Sequence, residues 1–331
     1  MNFYASRDYL DAAAAVYFKG RHTAVEDVRV GEDVLRLLVV DDRHIISRLP
    51  FLDFHQPLDA SEVRGPVRKA RYVQNVVRGI VKHSDWKPAN FPQFELAPYI
   101  DWSEFRNFDA YRDHLLARHR GQIRDRERRW RSLAAANGEL VFTMNDCGGD
   151  VLACARQWKS RQLRETGERD YFSSPKTMEF LETLRARNVL VSSTLRAAGR
   201  LVSLWIGFVH QGSWSGWIFT YDPAFRKYSA GHQLLNCMLE ESYRLGHREF
   251  DFSDGGHDYK MMYATHGRLL GAIGRPPFGR RLVIFAKDAL QRTSPQLFQT
   301  VRLLKKRIAA SLVRPAVPVK ARGSLHRAAA G

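Results

Sequence analysis

The spacing of hydrophobic positions changes near residue 190, and the predicted elements change with it. Ahead of that point, apolar residues recur every three or four positions, which is the period of an amphipathic helix. This period predicts helices over about residues 108–137, 150–167 and 175–187. Beyond it, apolar runs are separated by short turns, which is typical of antiparallel strands. These runs predict a three-stranded meander over residues 190–197, 201–209 and 214–221.

The pattern after the meander alternates between helix and strand. A helix is predicted over about 231–245, a strand over 249–253, a short helix around 259–264 and a strand around 269–273. A meander followed by a helical crossover into a neighbouring strand indicates a mixed sheet. The sequence therefore predicts an α/β (α+β) fold.

The first hundred residues show a weaker form of the same alternation. Strand-like runs at 34–40 and 44–49 are separated by turn signals, which indicates an incomplete α/β unit. The stretch PYIDWSEF (98–105) is interpreted as a turn, in which Asp101 or Ser103 caps the helix that follows.

One segment is long and apolar enough to suggest a membrane span. Residues 201–221 contain no Asp, Glu, Lys or Arg over 21 positions. However, Gln211-Gly212 lies at the midpoint and divides the segment into two runs of strand length. We therefore expect a buried hairpin and not a transmembrane helix.

Charge narrows the class of partner without selecting one. The 331 residues include 52 Lys and Arg against 35 Asp and Glu, a formal net charge of +17, which favours phosphates, nucleic acid, acidic glycans or a lipid surface. Three cysteines without CxxC spacing argue against a disulfide framework and indicate a reducing, cytoplasmic setting. Asp8 and Asp11 argue against an export signal.

Two basic segments each admit two interpretations. The predicted helix over 108–137 carries eight arginines, and it is either a solvated helix with weak ion pairs or a face for an anionic substrate. Residues 289–331 contain no acidic residue. This tail is either an amphipathic helix on an anionic membrane surface or a disordered basic segment. The first interpretation implies peripheral attachment at the inner face of the membrane.

Several common catalytic motifs do not fit. GSWSG (212–216) has Trp214 where a nucleophile elbow needs serine. The three cysteines are interpreted as two core thiols and one without a neighbouring histidine. His257, beside Asp254 and Asp258, forms too compact a cluster for metal-ligand spacing. Neither a Walker nor a dinucleotide-binding glycine pattern occurs in the sequence, and we expect no metal site.

The stretch TYDPAFRKYSAGHQLL (220–235) offers a different kind of site. A helix start exposes about four unpaired backbone N–H groups, so small residues there let an anion approach the backbone. Two cations just upstream add charge-assisted donors. The small residues and the cations are Ser229, Ala230, Gly231, Arg226 and Lys227. The alternative is an ordinary helix N-cap by Ser229 with two solvated cations.

The residues around this loop resemble those of a known superfamily. The chain here has a hairpin, a strand ending in Tyr221-Asp222, an R-x-x-S-x-G turn and a following strand. This order resembles the acyl-coenzyme A site of GNAT acyltransferases, whose loop is usually Q/R-x-x-G-x-G/A. Ser229 stands where that loop has its first glycine. With FDFSDGGHDYK (250–260), the chain is similar to the CelD/BcsL-type acetyltransferase family, whose sequences show F-D-F-x-x-G-x-x-x-Y-K.

The resemblance implies a tandem arrangement of two GNAT-like halves with mixed, mostly antiparallel sheets flanked by helices, as in Fem-type peptidoglycan aminoacyl transferases. It implies a degenerate half over 1–137, an acyltransferase half over 138–288 and a basic tail over 289–331. It also implies that acetyl-CoA is the co-substrate. The residues of the implied acetyl-CoA loop are Arg226, Lys227, Tyr228, Ser229, Ala230, Gly231 and His232.

The implied reaction is direct attack on the acetyl-CoA thioester by an amine or hydroxyl of a saccharide or other cell-envelope precursor. The candidates for the base, or for orienting it, are Asp251, Asp254 and His257. The candidates for protonating the sulfur are Tyr259 and Tyr221. Lys260 is expected to neutralise charge on the substrate or leaving group. The candidates for acceptor contact are Trp158 and Arg161, with core packing an equal interpretation of the tryptophan.

Two other functions stay open at this point. A Fem-type transferase would take its aminoacyl group from charged tRNA, which the net charge of +17 suits. A non-enzymatic module would bind nucleic acid or an anionic surface through the arginine helix and the tail. Against the non-enzymatic module, the sequence lacks the interleaved aromatic residues that are typical of proteins that bind single-stranded nucleic acid.

Overall fold

The computed structural model describes residues 2–91, 93–255 and 258–277. Its α-helices are α1 (Arg7–Tyr17), α2 (Phe108–Asn137), α3 (Gly149–Glu165), α4 (Pro175–Ala186), α5 (Ala230–Arg244) and α6 (Asp258–Tyr263). Its strands are β1 (Thr23–Val30), β2 (Asp33–Val40), β3 (His44–Ile46), β4 (Val67–Lys69), β5 (Tyr72–Lys82), β6 (Glu95–Asp101), β7 (Leu140–Thr143), β8 (Leu190–Ala197), β9 (Arg200–His210), β10 (Ser213–Tyr221), β11 (Glu249–Asp251) and β12 (His266–Gly274).

These strands form two sheets. The smaller has the order β3-β2-β1-β4, and the larger has the order β5-β12-β6-β11-β10-β9-β8-β7. The pairs β1–β4 and β10–β11 are parallel, and the other named pairs are antiparallel. Two mixed sheets flanked by helices confirm the predicted fold class.

The helices and the meander predicted from hydrophobic spacing are confirmed. α2, α3 and α4 begin and end within about two residues of their predicted limits, and β8, β9 and β10 form the meander. Gln211 and Gly212 make the turn between β9 and β10 with φ angles of 48° and 76°. The uncharged segment is therefore a hairpin within the sheet. In the part of the chain that the structure describes, no helix is long and apolar enough to cross a membrane.

One prediction in the first hundred residues is wrong, because PYIDWSEF begins as a strand. β6 lies between β12 and β11 in the larger sheet. A proline within a run argues against a central strand, yet the carbonyl of Pro98 still accepts the N–H of Phe252 at 3.1 Å. The predicted caps are also wrong, since Asp101 caps a short 3₁₀ turn and Asn107 caps α2.

Two hydrophobic clusters cover opposite faces of the larger sheet. On one face, α1, α3 and α4 pack through side chains such as Leu10, Leu152 and Phe180. On the other face, α2 and α5 pack through Tyr111 and Leu234, among others. Burial on both sides explains why the strands of the meander are apolar almost throughout.

The larger sheet takes strands from both sides of residue 137. β5 and β6 precede that residue, the remaining strands follow it, and β12 lies between β5 and β6. The division of the chain into a half over 1–137 and a half over 138–288 stays a prediction. The predicted tail over 289–331 lies outside the described residues.

Candidate active site

The candidate site begins where the two parallel strands β10 and β11 separate. They pair over three positions, from Ser213 opposite Glu249 to Ser215 opposite Asp251. β11 then ends, while β10 continues to Tyr221 with its other edge still paired to β9. Backbone groups of β10 beyond Ser215 therefore face a gap in the sheet and not a neighbouring strand, and such groups require partners.

A serine at the end of β11 holds the separation in place. Ser253 has a φ of 62°, and its N–H donates to Asp251 Oδ1 at 2.8 Å. Its hydroxyl donates to the carbonyl oxygen of Gly216 at 2.7 Å. Gly216 is the first residue of β10 after the region paired with β11, and this bond satisfies its carbonyl. The chain after β11 therefore leaves β10 at a defined point.

The predicted acetyl-CoA loop follows the end of β10. Residues Pro223–Tyr228 form a 3₁₀ helix, Ser229 is left-handed (φ 55°, ψ 44°), and α5 begins at Ala230. The first turn of α5 leaves backbone N–H groups without intrahelical acceptors. Ser229 makes no side-chain cap bond to them, so the alternative of an ordinary serine N-cap does not describe this helix start.

Two residues outside the predicted loop fix its shape, and sequence analysis did not single them out. Arg129 of α2 donates from Nη1 to the carbonyl of Lys227 at 3.0 Å and to Ser229 Oγ at 3.1 Å. Gln233 donates from Nε2 to the carbonyls of Arg126 and Tyr228, at 3.0 and 3.1 Å. Part of the arginine helix is thus packed against the loop. The high arginine content of α2 was a signal, but it did not indicate which arginine would make the contact.

The surroundings of the helix start are electropositive. Burial and the positive charges of Arg126 and Arg129 together lower the pKa of His232 to about 4. The imidazole is therefore neutral near pH 7. Arg226 and Lys227 are exposed on the outer side of the loop, with Lys227 Nζ 4.8 Å from the ring centroid of Tyr228. These charges and the helix dipole favour an anion at this position.

Gly231 is placed by packing against β10. A Cβ atom at this position would lie 2.9 Å from Cζ of Phe219, which is closer than normal carbon contacts allow. The glycine therefore permits α5 to approach the strand whose open edge faces the gap. This links the loop and the strand mechanically, because any side chain at residue 231 would displace the aromatic ring on β10.

Three predicted catalytic residues lie near the gap. Asp251 is 3% exposed, and burial raises its pKa, whereas Arg268, 3.5 Å away, opposes the increase. Lys260 on α6 is buried and donates to the carbonyl oxygen of Asp254. Burial lowers the pKa of Lys260, and the charge of Asp254 opposes this change. The structure thus brings a lysine and two aspartates together, and their roles stay predictions.

The remaining predicted acid–base residues are more scattered. The ring of Tyr259 lies 5.8 Å from that of Phe219 and 6.2 Å from that of His232, and burial raises its pKa well above 10. Its hydroxyl is therefore protonated near pH 7, as a proton donor requires. Tyr221 is partly buried at the end of β10. His257 lies outside the described residues.

Lys159 of α3, which lies between the two predicted acceptor contacts in the sequence, approaches the backbone of β10. Its Nζ is 3.4 Å from the carbonyl oxygen of Phe219. Burial lowers its pKa, and the charge of Lys260 contributes to the decrease. Trp158 packs against the core cluster on that face, and Arg161 is exposed and pairs with Glu165 at 2.7 Å. The role predicted for these two stays a prediction.

A cavity of about 430 Å³ lies beside the same strands. Its lining includes Tyr4, Asp251 and Arg268. The guanidinium of Arg268 is buried, lies 4.2 Å from the ring centroid of Tyr99, and donates to both oxygens of Glu249 at 2.7 Å. The cavity therefore presents both hydrogen-bond donors and acceptors. Among the described residues, no group of three or more His, Cys, Asp or Glu side chains could hold a metal ion.

Comparisons with known proteins agree with this architecture. Residues 117–261 match the acetyltransferase (GNAT) domain family, and a search of curated proteins finds no significant match. The solved structure of FemX is 10% identical, with a TM-score of 0.50 over 82% of this chain and 91% of that chain.

Two further solved structures are less similar in geometry. L-PGS from Bacillus licheniformis is 9% identical, with a TM-score of 0.44 over 92% of each chain. A tandem GNAT protein from the clavulanic acid biosynthesis pathway is 12% identical, with a TM-score of 0.36 over 82% of this chain and 95% of that chain.

The domain match includes α3, the meander, the loop, α5 and most of the segment around Lys260. The fold shared with FemX extends over the larger part of the chain. The separated parallel strands and the loop at the start of α5 lie within the matched residues. Residues 117–261 thus form a GNAT-type domain, and the chain as a whole has a Fem-like fold.

Proposed function

We propose that the protein transfers the acyl group of acetyl-CoA to an amine or hydroxyl of a saccharide or another cell-envelope precursor. One observation carries the proposal: β10 and β11 separate near the start of α5, and Arg129 donates hydrogen bonds to the loop that precedes this helix. A pyrophosphate at the N–H groups of α5 would extend the acyl chain along the free edge of β10. The loop and the gap would together bind acetyl-CoA as a substrate.

The gap supplies groups for the chemistry of acyl transfer. A backbone N–H on the open edge of β10 would polarise the thioester carbonyl, and one such donor contributes about 2.7 to 4 kcal/mol of transition-state stabilisation. Lys159 and Lys260 would stabilise developing negative charge. Tyr259 or Tyr221 would protonate the departing sulfur. Because the acceptor attacks directly, no nucleophilic side chain is required.

The cavity supports a polar acceptor. Its lining combines carboxylates, amides and arginines, including Gln56, Asp59, Asp101 and Arg248. Hydroxyl and amino groups of a sugar both donate and accept hydrogen bonds, so they match a mixed lining better than an apolar acyl chain would. We assign the cavity, which lies beside the paired part of β10 and β11, to the acceptor, and the loop after the far end of β10 to coenzyme A.

Binding of acetyl-CoA is the first experiment. Titration calorimetry would compare the wild-type protein with Arg129→Ala, which removes the two contacts to the loop. Arg128→Ala is the matched control, since Arg128 is exposed on the same helix and pairs with the same Asp125. We expect Arg129→Ala to weaken binding about tenfold, the effect of losing about 1.4 kcal/mol, and the control to leave it unchanged.

Ligand choice then separates the proposed function from its alternatives. Acetyl-CoA at about one hundred times its dissociation constant should stabilise the protein by about 2.7 kcal/mol in thermal unfolding. Stabilisation by aminoacyl-tRNA, with none by acetyl-CoA or longer acyl-CoAs, would instead support a Fem-type transferase. Incubation with acetyl-CoA and a panel of amino sugars, oligosaccharides and amino acids would identify the acylated product by mass spectrometry.

A cytoplasmic location with peripheral attachment fits this proposal. The sequence of residues 289–331 is basic and free of acidic side chains, and such a segment gains about 1 kcal/mol per cation near an anionic lipid surface. Sedimentation with vesicles of anionic or neutral lipid would compare the full chain with a chain ending at residue 288. Equal binding of both chains to anionic vesicles would show that the tail is not the attachment site.

A further inference from the structure

Asp53 is a carboxylate near the gap that neither the motifs nor the domain match includes. It lies in the segment between β3 and β4 and is partly buried. Two backbone hydrogen bonds of His55 hold this segment against β5. The N–H of His55 donates to the carbonyl of Asn75 at 2.7 Å, and the N–H of Val77 donates to the carbonyl of His55 at 2.8 Å. The position of the carboxylate is therefore set by backbone pairing and not by a free loop.

Two hydrogen bonds connect Asp53 with β10. The hydroxyl of Tyr4, which is 2% exposed, donates to Asp53 Oδ2. The same hydroxyl accepts a hydrogen bond from Trp217 Nε1 at 3.0 Å. Trp217 lies on β10 just beyond Ser215, the last position paired with β11. The chain of bonds thus ends at the point where the two strands separate.

The groups around Asp53 favour its use as a proton acceptor. Burial, together with the negative charge of Asp254, raises the pKa of Asp53 to about 8, against the opposing effect of the hydrogen bond from Tyr4. A base is most effective when its pKa is near the working pH. The titratable groups that interact with this carboxylate are Tyr4, Tyr9, Tyr171, Asp251, Asp254 and Lys260.

The other buried carboxylate is less suited to this role. Asp251 accepts the N–H of Ser253 at 2.8 Å and lies 3.5 Å from Arg268 Nη1. A carboxylate engaged by a guanidinium and a backbone donor holds its charge more firmly and accepts a proton less readily. Asp251 is therefore better suited to a structural or orienting role beside Asp53.

We infer that Asp53 is the general base of the proposed acyl transfer, and that Tyr4 is the positioning residue that orients its carboxylate. The inference rests on the proposed function. The acceptor nitrogen or oxygen forms a bond to the thioester carbonyl carbon, and its proton passes to Asp53. The carbon–sulfur bond then breaks, the electron pair leaves on the sulfur of coenzyme A, and a tyrosine protonates that sulfur.

The test compares Asp53→Asn with Asp41→Asn, a control in which an exposed carboxylate paired with Arg21 is neutralised. Acetyl-CoA affinity and release of free coenzyme A would be measured from about pH 6 to about pH 10, with the acceptor panel and with water as the acceptor. A general base contributes about 100-fold or more. We expect Asp53→Asn to retain affinity within about twofold, to lose about 100-fold in turnover and to lose the rising limb of the pH profile.

Tyr4→Phe provides a readout that a merely structural role would not change. Since the tyrosine bond favours the charged form of Asp53, its loss should move the rising limb to higher pH while affinity is retained. Turnover of Asp53→Asn within about threefold of wild type would overturn the inference and leave the proposed function intact. Absence of acetyl-CoA binding by the wild-type protein would instead overturn the proposed function, and the base role with it.

Discussion

Replacing Gly231 with alanine adds one methyl group where α5 packs against β10. The new Cβ would lie 2.9 Å from Cζ and 3.3 Å from Cε2 of Phe219. Gly231 lies within α5, outside the left-handed region, so alanine fits its backbone conformation. The perturbation is therefore a steric contact with a single aromatic ring on the strand proposed to hold the acyl chain.

Two opposing effects determine the size of the change. Overpacking a well-packed interior costs about 1 to 3 kcal/mol, while alanine is favoured over glycine in a helix by up to about 1 kcal/mol. The contact at 2.9 Å requires the ring to move, but the contact at 3.3 Å requires only a small adjustment. We therefore expect Gly231→Ala to lower the free energy of unfolding by about 1 kcal/mol.

A double-mutant cycle with Phe219→Leu isolates that contact. Leucine removes the ring atoms that the methyl group would meet. Adding Gly231→Ala to the Phe219→Leu protein should therefore cost much less stability than adding it to the wild-type protein. Urea unfolding would measure stability, and calorimetry with acetyl-CoA would measure affinity. We expect the double variant to match the Phe219→Leu protein in both properties.

The cycle distinguishes packing from anion contact. If stability recovers in the double variant while acetyl-CoA affinity stays low, the added methyl group meets the bound anion itself, and assigning Gly231 to packing is incorrect. If Gly231→Ala changes neither property, the ring adjusts freely, and the proposed coupling between the loop and β10 is refuted. The single Phe219→Leu protein controls for loss of the ring.

Three further predictions concern buried polar groups. Folding raises the pKa of Asp53 from 3.8 to about 8, so between these pH values the folded protein holds a proton that the unfolded chain has lost. Wild-type stability should therefore fall as the pH rises from about 4 to about 8. In thermal unfolding at pH 5 and 8.5, Asp53→Asn should gain stability relative to wild type at the higher pH, on the order of a few kcal/mol. Ser253→Ala leaves the carbonyl of Gly216 without its donor and should cost about 1 to 3 kcal/mol in urea unfolding, whereas an unchanged midpoint would mean that water replaces the hydroxyl. Arg268→Met leaves Asp251 beside Glu249 without their buried cation and should cost about 3 to 5 kcal/mol near pH 8. The loss should be smaller near pH 5, because burial raises the pKa of Asp251 and this carboxyl then takes up a proton more readily. Equal losses at both pH values would contradict this account.

Local patterns in the sequence predicted a large part of this fold. The limits of α2, α3 and α4, the meander and the helix after the loop follow from hydrophobic period and turn residues, which act over a few neighbouring positions. The motif residues around 250–260 indicated a GNAT-like domain, and the domain match over residues 117–261 agrees. The strand at Pro98 was missed because its place between two neighbours depends on partners distant in the sequence.

Only the tertiary structure identified the residues that complete the candidate site. Arg129 contacts Ser229 across 100 positions, and Trp217 contacts Tyr4 across 213. Neither contact leaves a periodic signal, because one arginine among eight on α2 looks like any other. The unusual pKa of Asp53 likewise comes from burial and from the charge of Asp254, both set by packing. The sequence by itself determined the elements and the loop, whose causes are short-range, while the charges and hydrogen bonds of the site depend on long-range packing of the folded chain.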